Sequence, residues 1–199
     1  MAANRFIAIV FLLFFASWSV TGRGSDDNIR DFLRLFFVEI DKINRHGKLK
    51  KREAEFLVLA NNNIDIDWIA NFILGKHRKN LSIEQRNRFI DTYSKYLVSN
   101  YRSIFSIYSD NGYEIISVAE QQGGKVFMVS AVLSLNGKTV RNNFRVVQKN
   151  GKYYITDVIT EGISFISAKR AEVEAAMASK GFDNFMGELE LSLTTKNKK

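Results

Sequence analysis

Three turn signals constrain this chain more than any other feature: Gln122-Gly123-Gly124, Asn136-Gly137 and Asn150-Gly151. An Asn-Gly pair closes a tight hairpin because a type I′ turn needs positive φ at both central residues. The runs between these turns, Tyr113 to Ala119, Val126 to Leu135, Thr139 to Gln148 and Tyr153 to Ile159, are rich in β-branched and aromatic side chains and read as strands. Connections this short join antiparallel neighbours, so the strands form a meander. Alternation assigns its faces. Phe127, Val129, Ala131, Leu133 and Leu135 share one side, and in the next strand Val140, Phe144 and Val146 oppose Arg141, Asn143, Arg145 and Lys149. One face should be wet and the other covered. Asp157 is expected to interrupt the last strand and Glu161-Gly162 to end it, with a helical pattern resuming near Ser167.

The cover comes from the amino-terminal half. Between Asp26 and Asn44, Ile29, Phe32, Leu33, Phe36, Phe37, Ile40 and Ile43 recur at intervals of three and four, the period of a helix with one wide apolar face. A second helix is expected from Lys50 to Leu59, ending at Asn61-Asn62-Asn63. A third, capped by Asp65 or Asp67, carries Trp68, Ile69, Phe72 and Ile73 and stops at Gly75. Ser82 with Gln85 makes a capping box for a long fourth helix. Its stripe is Phe89, Tyr93, Leu97, Tyr101 and Ile104. Two further helices, Ser167 to Lys180 and Asp183 to Leu193, are separated by Gly181. Helices, then a meander, then helices make an α+β domain.

Arg5 followed by an apolar run from Phe6 to Ala16, then small residues at Ser17, Ser19, Thr21, Gly22 and Gly24, has the layout of a secretory signal. The run is shorter than the about 20 apolar residues that a membrane span needs. Residues 1–22 are therefore read as a cleaved signal and 23–199 as a single domain. With Cys 0, an exported chain of this kind forms no disulfide and carries no lipid on an amino-terminal cysteine. Its core must stabilise it unaided. The net charge of +8 makes acidic proteins and anionic lipid surfaces better partners than nucleic acid, which an exported protein does not meet. Lys42, Arg45, Lys48, Lys50, Lys51 and Arg52 concentrate part of that charge between the first two helices.

Reactive constellations are scarce. His46 and His77 each stand among lysines and arginines without a carboxylate at helical spacing, so they read as surface histidines in loops. No metal-ligand spacing, nucleophile elbow or phosphate loop occurs. Asp157 and Glu161 could form an acid/base pair. They could equally bond the backbone at the sheet edge, cap a helix or pair with Arg170, and with no histidine nearby in sequence the structural role is the better reading.

Several motifs, in order along the chain, resemble the MlaC family, also called toluene-tolerance auxiliary proteins. They are Ile66-Asp67-Trp68-Ile69-Ala70-Asn71-Phe72-Ile73-Leu74-Gly75-Lys76, Ser82-Ile83-Glu84-Gln85-Arg86-Asn87-Arg88-Phe89, Tyr96-Leu97 with Tyr101, Asp157-Val158, Glu161-Gly162-Ile163-Ser164, Arg170 and Lys180-Gly181-Phe182-Asp183. The chain departs from the family pattern in having no proline, with Ile83 where the family often starts a helix with one, and in Tyr153 where tryptophan is common. The resemblance implies an NTF2-like cone, a curved antiparallel sheet with additional helices across its open side. It implies a periplasmic phospholipid carrier of a toluene-tolerance, lipid-asymmetry system rather than an enzyme. Phospholipid would be the cargo and no cofactor would be needed. The expected partners are an inner-membrane ABC-transporter complex and an outer-membrane lipoprotein with its porin, met by a monomer in transient contact with membranes. Under this reading the acyl chains would be buried in a deep apolar cavity lined by Trp68, Phe72, Phe89, Tyr93, Leu97 and Tyr101 from helices and Val129, Phe144, Val146 and Val158 from strands, with Ile163 and Phe165 at the rim. A different class of function, an NTF2-like enzyme or an envelope-complex subunit without lipid cargo, fits the same fold.

Overall fold

The structure, a computed structural model, describes residues 24–45, 49–105, 112–135 and 138–196. The signal segment, His46 and the Asn136-Gly137 turn lie outside them. Helices α1 (Ser25–Arg45), α2 (Leu49–Asn63), α3 (Ile66–Leu74) and α4 (Ile83–Phe105) precede strands β1 (Tyr113–Gln121), β2 (Val126–Leu135), β3 (Lys138–Lys149), β4 (Lys152–Thr160) and β5 (Ile163–Ser164), and α5 (Phe165–Lys196) closes the chain. A 3₁₀ turn, Gly75–Lys79, links α3 to α4. The sheet order is β1-β2-β3-β4-β5, antiparallel at every step, and the sheet is open and curved. The expected α+β meander is observed, extended by one strand.

Local chemistry accounts for most boundaries. Asn150 and Gly151 take φ of 51° and 76°, the geometry of a type I′ hairpin. Asp65 is the cap of α3, accepting from the Trp68 N–H at 3.4 Å, and Gly75 ends that helix at φ 55°. In the capping box of α4, the Gln85 N–H donates to Ser82 Oγ (3.2 Å) while the Ser82 N–H donates to Gln85 Oε1 (3.0 Å). Gly181 bends α5 at φ 78°, ψ 170°, which makes it two arms, as the sequence pattern predicts.

Four expectations are corrected. α2 runs on past Leu59 and ends at Asn63, whose side-chain amide donates to the Leu59 carbonyl at 2.8 Å. Asp157 does not interrupt β4. The strand absorbs an extra residue at Thr156 as a bulge, because Arg145 pairs with Asp157 and Val146 with Ile155. Glu161-Gly162 turns the chain rather than ending the sheet, since Ile163 and Ser164 pair back onto Thr160 and Ile159 as β5. The last helix starts at Phe165, not near Ser167, because Asp157 accepts from the Ile166 N–H at 3.2 Å. A second bulge, at Ile116 in β1, adds to the bending of the sheet.

One apolar core lies between the inner face of the sheet and the helices. α1 is held to β1 by Arg30 Nη1, which donates to the Ile115 carbonyl at 2.9 Å, and by the Tyr113 hydroxyl on the Arg34 carbonyl at 3.2 Å. The α2–α3 link is pinned to β4 by the Asp65 N–H on the Ile155 carbonyl at 3.0 Å, and to the end of β3 by Lys149, paired to the Asp65 carboxylate.

Candidate functional site

The inner face of the sheet is built in rows by strand register. Val129, Phe144 and Val158 lie side by side on β2, β3 and β4, and Phe127, Val146 and Ile155 form the next row. Opposite them stands α1, with α4 packed beside α2, α3 and α5. The Phe37 ring meets Phe144 edge-on at 5.5 Å and Tyr113 at 4.7 Å. On α4, Phe89 stacks on Tyr93 at 5.0 Å and faces Phe185 of α5 at 6.3 Å.

Eleven of the twelve predicted lining residues separate into three groups. Phe89, Tyr93, Leu97, Val129, Phe144 and Val146 are buried in one continuous core, with Val158 half-buried against it. Phe89, Leu97, Val129 and Val146 have no accessible surface, so they border no space that holds a water molecule. Trp68 and Phe72 stack on each other at 5.4 Å on the outer side of α3, where Trp68 is 38% exposed. Ile163, 67% exposed, and half-buried Phe165 stand at the rim where β5 enters α5. The Tyr101 side chain lies outside the described residues. Sequence reasoning did not select Phe37 and Phe185, although both complete the aromatic contacts of the interior. Their helical spacing was visible, but nothing in it said which helix would reach Phe144 or Phe89. Asn142 was also missed, and it is the polar residue of the inner face.

Open space occurs at the margins of this core. A groove of about 710 Å³ between α1 and α2 is floored by Ile43, Val58 and Leu59 and edged by Glu39, Lys42 and Glu55. A smaller one of about 270 Å³, between α4 and the two arms of α5, is lined by Tyr93, Tyr96, Val173, Phe185 and Leu189, with Glu172 and Glu188 at its edge. Tyr93 makes this second groove the one that adjoins the predicted residues.

The titratable groups are engaged in structure. Asp157 is 4% exposed and accepts from Ser164 Oγ (2.6 Å) as well as the Ile166 N–H. Glu161 is exposed in its turn at φ 52°. Arg170 and Glu161 form no ion pair among the described residues; the Arg170 guanidinium instead lies over the Phe72 ring at 5.0 Å and against Gly75. Among the described residues no three His, Asp or Glu side chains converge as metal ligands. His77 is not a surface loop histidine, since it sits half-buried in the 3₁₀ turn with Nε2 sealed from solvent. Arg88 binds Glu190 through two hydrogen bonds, of 2.9 and 3.0 Å. That contact holds the Glu190 carboxyl below the usual carboxylate range and raises the guanidinium.

Comparison with known proteins agrees with this architecture. The family model described as MlaC protein matches residues 37–191. A solved structure described as the phospholipid-binding protein from Ralstonia solanacearum in complex with a phospholipid superposes with a TM-score of 0.68 at 13% identity, covering 86% of this chain and 99% of that one. At that identity the likeness speaks to the fold.

Proposed function

Because the chain belongs to the MlaC family, we propose that it is a periplasmic phospholipid carrier of an Mla-type transport system, not an enzyme. It would receive one lipid from a membrane-bound donor, shield the acyl chains and release them to a membrane-bound acceptor. An inner-membrane ABC-transporter complex and an outer-membrane lipoprotein with its porin are the expected partners. The observation that carries this reading is the inner sheet face, where the rows Val129-Phe144-Val158 and Phe127-Val146-Ile155 present apolar side chains to an aromatic helical layer. The Ralstonia protein of the same fold holds a phospholipid.

Physical magnitudes say what carriage demands. Two acyl chains contain on the order of 30 methylene groups, and at about 0.8 kcal/mol each they cost roughly 24 kcal/mol to leave in water. A surface groove cannot offset a cost of that size, so the chains must enter the space between sheet and helices. Phe89, Leu97, Val129 and Val146 border no water-sized space, so loading requires the helical layer to part from the sheet. Trp68, Phe72, Ile163 and Phe165 then act at the outer margin and the buried members of the set along the chains. The test is organic extraction of the purified mature protein, followed by mass spectrometry and by uptake from labelled vesicles. Phospholipid near one equivalent is expected. A folded protein that contains none and takes none up overturns the reading.

A further inference from the structure

Asn142 is a polar residue on the apolar side of the sheet. It pairs with Ala131 of β2 and Thr160 of β4, placing it in the row next to Val129-Phe144-Val158, and it has no accessible surface. The Thr160 hydroxyl donates to its Oδ1 at 2.5 Å. Its Nδ2 is buried and has no hydrogen-bond partner among the described residues. A buried amide donor left unpaired costs about 1 to 3 kcal/mol, and nearly all such groups in folded proteins are satisfied. Leucine or valine at this position would avoid the cost, as they do in the flanking rows. The row that holds Asn142 ends at the margin of the sheet, because Thr160 pairs in turn with Ile163 of the short edge strand. Adjacent strands lie about 4.8 Å apart, so Asn142 sits roughly 10 Å in from the exposed Ile163.

From this placement we infer that Asn142 is a polar anchor for the cargo, its Nδ2 donating to an ester carbonyl oxygen of the bound phospholipid's glycerol backbone. The inference rests on the carrier reading and deepens it. Outside its head group, a diacyl phospholipid carries its strong acceptors at the two ester carbonyls, between a head group that water solvates and chains that need the apolar rows. A donor set back from the edge, with Thr160 beside it and Phe144 beyond it, matches that order of chemistry. The neutral amide reads the linkage and is indifferent to head-group charge.

The experiment compares uptake of a diester phosphatidylcholine with its diether analogue, which has the same chains and head group but no carbonyl oxygens. Wild-type mature protein should bind the diester about tenfold more tightly, the worth of one hydrogen bond to a donor that is otherwise unsatisfied. Asn142→Leu should abolish that preference while its lipid-free melting temperature equals or exceeds that of wild type, an outcome a merely structural asparagine would not give. Equal affinity of the wild type for both linkages overturns the assignment of Asn142 and leaves the carrier reading standing, and this arm needs no variant to fold. A preference that survives in Asn142→Leu overturns it as well. Failure to bind either lipid removes the carrier reading and the anchor together.

Discussion

Asp157 shows how one carboxylate can fix a junction. It lies beside the β4 bulge, is almost fully buried, and spends one oxygen on Ser164 Oγ and the other on the Ile166 N–H. Ser164 Oγ in turn accepts from the Ser167 N–H at 3.2 Å. The first turn of α5 is thus capped from within the sheet, which sets the direction in which the helix leaves it. Asp157→Ala removes an acceptor from a buried backbone donor and should cost about 2 kcal/mol, the upper end for a cap. Urea denaturation measures this. A loss near zero would mean the cap is replaceable by water and would reopen Asp157 to a chemical role. The sequence placed Asp157 within β4 but could not distinguish a break from a bulge, because both leave the same break in alternation. Asn142 was passed over although alternation with Val140, Phe144 and Val146 already puts it on the apolar face; spacing could not show that its side-chain amide would be fully buried with its nitrogen unpaired.

Among the elements, α5 carries the strongest constraint. At φ 78°, ψ 170°, Gly181 occupies a region essentially reserved for glycine, and no atom lies within 4 Å of where a Cβ would stand. The obstacle to Gly181→Ala is therefore backbone strain and not crowding, and the variant should lose about 1 to 3 kcal/mol by thermal or urea unfolding. The arm beyond the bend returns to α4 through Phe185 on Phe89 and through Glu190 on Arg88. Because the Glu190 carboxyl is held below its ordinary range, its contribution is present above about pH 4.3 and is lost as the pH falls through the lowered value. Glu190→Gln should therefore be less stable than wild type at pH 7, and the difference should close as the wild-type carboxylate is protonated at acid pH. The difference should be small and should shrink in high salt, since both partners are substantially exposed. The helical elements were largely legible because their caps and stripes are local. The two-residue β5 was not, since a strand that short has no period and exists only because Thr160 and Ile159 are there to pair with it.

At the scale of the whole molecule, the proposed carrier role would require the interior to serve two states. Six of the residues expected to meet acyl chains are packed against one another, and that closure is a stable core in its own right. Composition and spacing could identify those residues as apolar and inward, but core and cargo site draw on the same chemistry. Only a difference between loaded and unloaded protein separates them. Phe144, at the centre of the sheet and in contact with Phe37, is the position where the two readings diverge most. Phe144→Ala should destabilise the lipid-free protein by about 3 to 5 kcal/mol, through lost burial and the cavity left behind. In the loaded protein an acyl chain would occupy that volume, so the loss should be much smaller, and saturation with phospholipid should raise the melting temperature of the variant more than that of the wild type. Calorimetry of both proteins, with and without saturating phospholipid, measures all four corners of this cycle. If the penalty is the same in both states, no chain lies beside Phe144, and the inner face of the sheet is core and not cargo site.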